Sequence, residues 1–159
     1  MHKHLQRLDR VWIDFAIYFV TICTFRRRPI LARVAIADIL VEELRHARQR
    51  HGWAIGSYVI MPDHVHFFCA PDPGAKNLSH FMREWKSWTG RRINALSPRP
   101  TTAATTLWQR EFFDHILRSE ESYAQKWDYV RDNPVRAGLV RVAQDWPYSG
   151  TMENLESFR

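Results

Sequence analysis

Residues 55 to 61 and 64 to 70 are two apolar runs, rich in β-branched and aromatic side chains, with only Pro62 and Asp63 between them. Proline lacks the N–H that would continue a ladder, and a Pro-Asp pair favours a turn, so this stretch predicts a β-hairpin and an antiparallel sheet. Pro71, Pro73 and Gly74 close the second run. A third run, residues 15 to 25, ends in Arg26, Arg27, Arg28 and Pro29 and reads as a buried strand followed by a basic loop. Between them, residues 34 to 51 place Ile36, Ile39, Leu40 and Leu44 at three- and four-residue steps, a helical stripe, with Gly52 as its stop.

Downstream of the hairpin, residues 78 to 96 return to a helical pattern, with Phe81, Trp85 and Trp88 on one stripe. Ser97 to Thr106, holding Pro98 and Pro100, is a loop, and residues 107 to 118 read as a strand through Phe112, Phe113 and Ile116. A last helix is expected from near Ser119, whose hydroxyl can cap it while Glu120 and Glu121 favour its positive end, to just before Pro134. From Gly138 onward there is little regular pattern, and no internal repeat appears. The order strand, helix, strand, strand, helix, strand, helix predicts an α+β fold of the split βαβ type, an antiparallel sheet with helices packed on it. A chain of 159 residues is expected to be one domain, with a core spanning roughly residues 11 to 150 between a short basic N-terminal tail and an irregular C-terminal one.

Charge narrows the partners. Lys and Arg total 23 against 17 Asp and Glu, a net +6 with a pI near 9.7, so the surface should attract polyanions, nucleic acid above all. Cys23 and Cys69 lie in apolar runs without CxxC spacing and are expected to be reduced core residues, which suits a cytoplasmic setting. The apolar run from Phe15 to Phe25 is interrupted by Thr21 and Thr24 and is far shorter than the roughly 20 residues of a membrane span. The start of the chain is charged through Arg10 and carries no small-residue cleavage site, so secretion is not expected.

Two constellations could carry chemistry. His64 and His66 are two apart on a predicted strand, so both imidazoles leave the same face and could grip one ion, although neutral histidines also pack well on a sheet surface. On the last helix, at about 100° per residue, Tyr123, Trp127 and Val130 share an apolar face while Tyr129 falls away from it, aligned with Gln125 and Asn133. Tyr129 is then either a surface residue beside a helix-ending Asn-Pro, or a nucleophile with a carboxamide oxygen ligand four residues on. Two nitrogens, one amide oxygen and open positions would suit Mg²⁺ or Mn²⁺ better than structural zinc.

Three blocks sharpen this reading: Tyr58-Val59-Ile60-Met61-Pro62-Asp63-His64-Val65-His66, Trp108-Gln109-Arg110-Glu111-Phe112-Phe113-Asp114-His115, and Tyr129-Val130-Arg131-Asp132-Asn133-Pro134-Val135-Arg136-Ala137-Gly138-Leu139-Val140. In order and spacing they resemble the REP-associated tyrosine transposases, within the single-tyrosine HUH nucleases. The resemblance implies a ferredoxin-like nuclease domain that recognises a hairpin in single-stranded DNA, cuts beside it, and forms a 5′-phosphotyrosine with a free 3′-hydroxyl. It implies His64, His66 and Asn133 as metal ligands and Tyr129 as nucleophile, in a nucleoid-associated protein that is a monomer rather than a dimer, a point composition does not decide. Many relatives have Asn where Asp63 stands here. Tyr123 is a second phenol on the same helix, but Trp127 rather than an amide follows it by four residues. Pro134 is expected to draw Asn133 toward an extended conformation, which puts its alignment with Tyr129 in question.

DNA contacts are expected from Arg26, Arg27, Arg28, Arg83, Lys86, Arg91 and Arg92, any of which could instead be solvated surface. Trp85 and Trp88 could stack on bases, but their helical spacing favours the core. Two readings compete with the transposase: a non-catalytic module that binds hairpin DNA or RNA on the same fold, and a phosphoesterase whose metal-bound water attacks while the tyrosine is incidental.

Overall fold

The computed structural model describes residues 16–98, 106–117 and 122–158. Its centre is the expected hairpin, β2 (Trp53–Ile60) and β3 (His64–Pro71). The first strand, β1 (Tyr18–Cys23), pairs antiparallel with β3, and β4 (Phe113–Ile116) pairs antiparallel with the other side of β1. A short strand, β5 (Ser149–Thr151), adds to the free edge of β2, giving a five-stranded sheet in the order β4-β1-β3-β2-β5. The order β4-β1-β3-β2 is the split βαβ arrangement: β1 and β2 run parallel with β3 inserted between them.

The predicted helix over 34–51 is two pieces, α1 (Val34–Arg45) and α2 (Ala47–His51), parted at His46, and Gly52 ends α2 in the left-handed conformation at φ 74°. The next, α3 (Leu78–Asn94), is capped by the Asn77 side chain, which accepts from the His80 N–H at 2.9 Å. α1 and α3 cover one face of the sheet, where Leu40, Leu44, Phe81 and Trp85 bury against Val20, Ile22, Val65 and Phe67. Trp88, predicted on that stripe, is instead 39% exposed, with the Arg50 and Arg91 guanidiniums over its ring. Glu43 is fully buried on α1 and is tied by Arg50 at 2.5 Å and by Arg92 of α3 at 2.8 Å. Cys23 and Cys69 are buried and free, as expected.

The last long helix, α4 (Tyr123–Arg131), crosses the opposite face. Ser122 caps it, accepting from Gln125 N–H at 3.2 Å, while Ser119, Glu120 and Glu121 lie outside the described residues. Asn133 is not extended as expected: after Asp132 in a helical conformation it opens a short helix, α5 (Asn133–Arg136). Pro134 is tolerated there because the first helical positions need no intrahelical N–H donor. The tail also departs from expectation, since β5 and two 3₁₀ turns (Ala143–Asp145 and Leu155–Phe158) order it against the sheet.

β2 carries a bulge between Ile55 and Tyr58 that shifts its register against β3 by one residue. The extra residue brings Tyr58 and Ile60 onto the same core as Trp53 and Ile55. Gly56 stands in the bulge because space allows nothing larger: a Cβ there would lie 2.6 Å from the Tyr123 hydroxyl and 2.8 Å from Leu155 Cδ1.

Candidate active site

The alternation of β3 sends Val65, Phe67 and Cys69 into the α1/α3 core and His64, His66 and Phe68 to the other face. That second face is the one α4 covers. Phe68 packs against Tyr123 and Trp127, at ring-centroid distances of 4.4 and 6.4 Å, and Val130 buries with Val59 and Met61. The paired imidazoles and the helix bearing Tyr129 therefore share one side of the sheet.

Each imidazole is held through Nδ1. Register pairs Thr21 with His66, and the Thr21 hydroxyl lies 2.8 Å from His66 Nδ1, while Phe19 stacks on the ring at 5.1 Å. His64 Nδ1 meets Asp63 Oδ1 at 2.7 Å, and Asp63 Oδ2 accepts from Arg27 Nε at 2.9 Å. Arg26 and Arg27 both sit in the left-handed region, φ 57° and 54°, and this tight turn after β1 is what swings the Arg27 guanidinium back onto the hairpin turn. Burial works against the charge on Asp63, but the bonds from His64 and Arg27 outweigh it and hold the carboxyl below its usual range. The two rings stand edge to face with centroids 4.6 Å apart. With both Nδ1 atoms engaged, each Nε2 has no hydrogen-bond partner among the described residues. Burial, reinforced by His64 and by the cations of Lys126, Arg27 and Arg136, pushes the His66 pKa down to about 3, so its imidazole is neutral at physiological pH. Among the described residues no group of three or more His, Cys, Asp or Glu side chains gathers around an ion position, so any further protein donor here must be of another type.

The two phenols of α4 have opposite environments. The Tyr123 hydroxyl accepts the Ser57 N–H freed at the β2 bulge, at 2.8 Å, and burial, partly offset by that bond, raises its pKa. Tyr123 is thus occupied in holding α4 to the sheet. Tyr129 is 65% exposed, and the Arg136 guanidinium lies 3.9 Å above its ring while donating to Asn133 Oδ1. The helical turn of α5 keeps Tyr129, Asn133 and Arg136 together. Lys126, one turn before Tyr129, places its Nζ 4.8 Å over the Phe19 ring, beside His66.

The basic residues divide. The Arg26–Arg28 turn lies next to Asp63 and His64, with Arg28 also donating to the Thr106 carbonyl at 3.0 Å. Arg83, Lys86 and Arg91 line a groove of about 890 Å³ between α3 and residues 106–112, on the far side of the sheet from the imidazoles. Lys86 donates to the carbonyls of Gln109, Arg110 and Glu111, and Arg92 is bound to Glu42 and Glu43, so both hold the fold. Arg83 meets His80 Nδ1 at 3.0 Å, and Arg26 lies over Phe25. Thr21, Asp63, Lys126 and Arg136 were given no role in the sequence. Thr21 and Asp63 gain theirs from strand register and from a turn, and only Lys126, three residues before Tyr129 and so on its side of the helix, had a readable signal.

The profile of the IS200-like transposase family matches residues 14–133, a stretch that holds His64, His66, Tyr129 and Asn133. A REP-associated tyrosine transposase of Escherichia coli is 26% identical over 144 residues, covering 88% of this chain and 79% of the relative. A Haemophilus influenzae protein assigned to the same group is 30% identical over 95 residues, 57% of this chain, and only 54% of that relative's length is spanned. Among solved structures, a REP-associated tyrosine transposase bound to a REP hairpin superposes with a TM-score of 0.69 at 25% identity, covering 84% of this chain and 75% of that one. A Deinococcus radiodurans structure assigned as a transposase shares the fold, with a TM-score of 0.56 at 22% identity over 77% of this chain and 94% of that one. With the profile spanning most of the chain, this protein belongs to the IS200-like transposase family.

Proposed function

We propose that this chain is a site-specific single-strand DNA endonuclease and strand-transferase that cuts beside hairpin, REP-like elements, with Tyr129 as its nucleophile. The observation that carries the reading is the contrast on α4: one phenol is spent on the sheet, and the other is exposed on the side of the fold that holds the two paired imidazoles. The Tyr129 oxygen forms a bond to phosphorus as the bond to the 3′-oxygen breaks, leaving a 5′-phosphotyrosine. The phenolic proton passes to solvent, and the departing 3′-oxygen takes one from water. Because a phenolate leaves readily, a later 3′-hydroxyl can attack the same phosphorus and restore the tyrosine, so the strand is rejoined without an outside energy source.

The donor set suits Mg²⁺ or Mn²⁺: two imidazole Nε2 atoms whose rings are fixed through Nδ1, and the Asn133 carboxamide oxygen once Arg136 releases it. Bound there, such an ion would polarise the phosphodiester and draw charge off the attacked phosphorus. Asp63, an acceptor, keeps the His64 proton on Nδ1 and its Nε2 open, and Thr21 orients the His66 ring. Arg26, Arg83 and Arg91 are the cations we assign to the DNA backbone, since Lys86 and Arg92 are engaged in the fold. No described helix is long and apolar enough to cross a membrane, and we place the protein on DNA in the cytoplasm, as a monomer.

The test incubates wild type and Tyr129→Phe with labelled single-stranded hairpin DNA and Mn²⁺, with and without chelator, and reads denaturing gels for a protein band carrying label. Wild type should form the adduct only with the metal, and Tyr129→Phe should form none and cut nothing. Cleavage retained by Tyr129→Phe would point to attack by water, and binding without any cleavage would point to a non-catalytic module.

A further inference from the structure

Some of the cations of this fold are tied into it. Arg27, Arg48, Arg50, Arg92 and Arg131 each meet a carboxylate, and Lys86 is bound to three carbonyls. Lys126 and Arg136 stand out by position: neither is paired with a carboxylate among the described residues, and they lie to either side of Tyr129 along the chain, one over Phe19 and one over the phenol ring itself. Lys126 is half-buried on the sheet side, its ammonium 4.8 Å over the ring of Phe19, which itself stacks on His66 at 5.1 Å. Arg136 lies on the outer side, over the phenol ring at 3.9 Å, with one N–H given to Asn133 Oδ1.

Two positive charges without a carboxylate partner, one beside Phe19 and His66 and the other on Tyr129, suit an anion that reaches both. Their chemistry says which. A guanidinium offers five N–H donors in a planar fork that can meet phosphate oxygens once the bond to Asn133 is let go; an ammonium adds a compact point charge. We propose that Lys126 and Arg136 bind the non-bridging oxygens of the scissile phosphodiester, Lys126 from the sheet side and Arg136 from the phenol side. This rests on Tyr129 being the nucleophile and deepens that reading by naming what presents the phosphorus to it. The cradle would bind the ground-state monoanion, but it acts most strongly where the second negative charge develops as the Tyr129 oxygen adds. Arg136 has a further consequence: on turning to phosphate it gives up the Asn133 oxygen, so substrate entry and release of that carboxamide are one motion.

The experiment measures single-turnover adduct formation on hairpin DNA with either a normal phosphodiester or a methylphosphonate, which lacks the charge, at the cleavage position. Wild type, Lys126→Gln, Arg136→Gln, Lys126→Arg and Arg136→Lys are compared, with thermal melts and hairpin affinity recorded alongside. On the phosphodiester each Gln variant should be slowed about 10²- to 10³-fold, the scale of losing one transition-state donor. Hairpin affinity should fall by no more than about threefold, since each variant removes one phosphate contact among many. The Arg and Lys variants, which keep the charge, should recover at least about tenfold of the lost rate, because a third or more of the stabilisation is charge rather than fork geometry. On the methylphosphonate, which is neutral in the ground state and has one fewer non-bridging oxygen to gather charge as the Tyr129 oxygen adds, the Gln variants should be slowed by no more than about tenfold. Equal slowing on both substrates, or rates unchanged on the phosphodiester, would overturn the cradle while leaving Tyr129 as nucleophile. A wild type that forms no adduct at all would remove the reading beneath it, and the cradle with it.

Discussion

Strand β3 shows two kinds of packing on alternate residues. Toward α1 and α3, Phe67 is fully buried and touches Phe81 and Trp85 in a continuous core that also takes in Val20, Ile22, Leu40 and Leu44. Toward α4, the neighbouring His66 stacks on Phe19, meets the His64 ring edge to face and is bonded to Thr21, and the apolar contacts of that face break into two smaller clusters around Phe68 and Val59. One face is a sealed interior, and the other is a thin apolar base under an open polar rim. The difference teaches where the fold keeps its stability and where it can afford exposed, hydrogen-bonded groups: the candidate site sits on the face whose loss of burial costs least.

Three substitutions would break or sharpen that contrast, each read by urea unfolding. Phe67→Ala empties the centre of the sealed face and should cost about 3–5 kcal/mol, the range for a large aromatic removed from a core that cannot collapse. Tyr123→Phe keeps the ring but leaves the buried Ser57 N–H without its acceptor, so a loss of about 1–3 kcal/mol is expected. A loss as large as that of Phe67→Ala would mean the α4 face is no thinner than the other. Tyr129→Phe, at an exposed position, should change stability by no more than about 0.5 kcal/mol while abolishing the adduct. A stability loss comparable to that of Tyr123→Phe would make Tyr129 a structural residue and erase the distinction between the two phenols.

The sequence made the sealed face the easier one to read. Apolar runs rich in β-branched and aromatic residues and the Pro62–Asp63 turn marked β2 and β3, and the helical stripe of Ile36, Leu40 and Leu44 marked α1, because such elements are specified by local pattern. What escaped depends on partners far along the chain. β5 is only Ser149, Gly150 and Thr151, a strand solely because the edge of β2 is there to receive it. The bulge in β2 could have been suspected from Gly56 inside an apolar strand, but its use, to give Tyr123 an N–H to accept, joins residues 66 apart. The site follows the same division. His64, His66 and Tyr129 stood out through spacing and residue type, whereas the Thr21 bond to His66 needs the β1–β3 register, and the bond from Arg27 to Asp63 needs two consecutive left-handed residues that no composition announces. Trp88 misled because helical spacing gives the stripe but not its width.

The two phenols of α4 fall in different tryptic peptides, Tyr123 in Ser119–Lys126 and Tyr129 in Trp127–Arg131, since trypsin cuts after Arg118, Lys126 and Arg131. Mass spectrometry of the wild-type protein trapped on hairpin DNA, after nuclease and trypsin digestion, can therefore assign the link to one residue. The account predicts a nucleotide attached to the peptide Trp127–Arg131 and an unmodified Ser119–Lys126. A nucleotide on the Tyr123 peptide, or cleaved DNA with neither peptide modified, would contradict it.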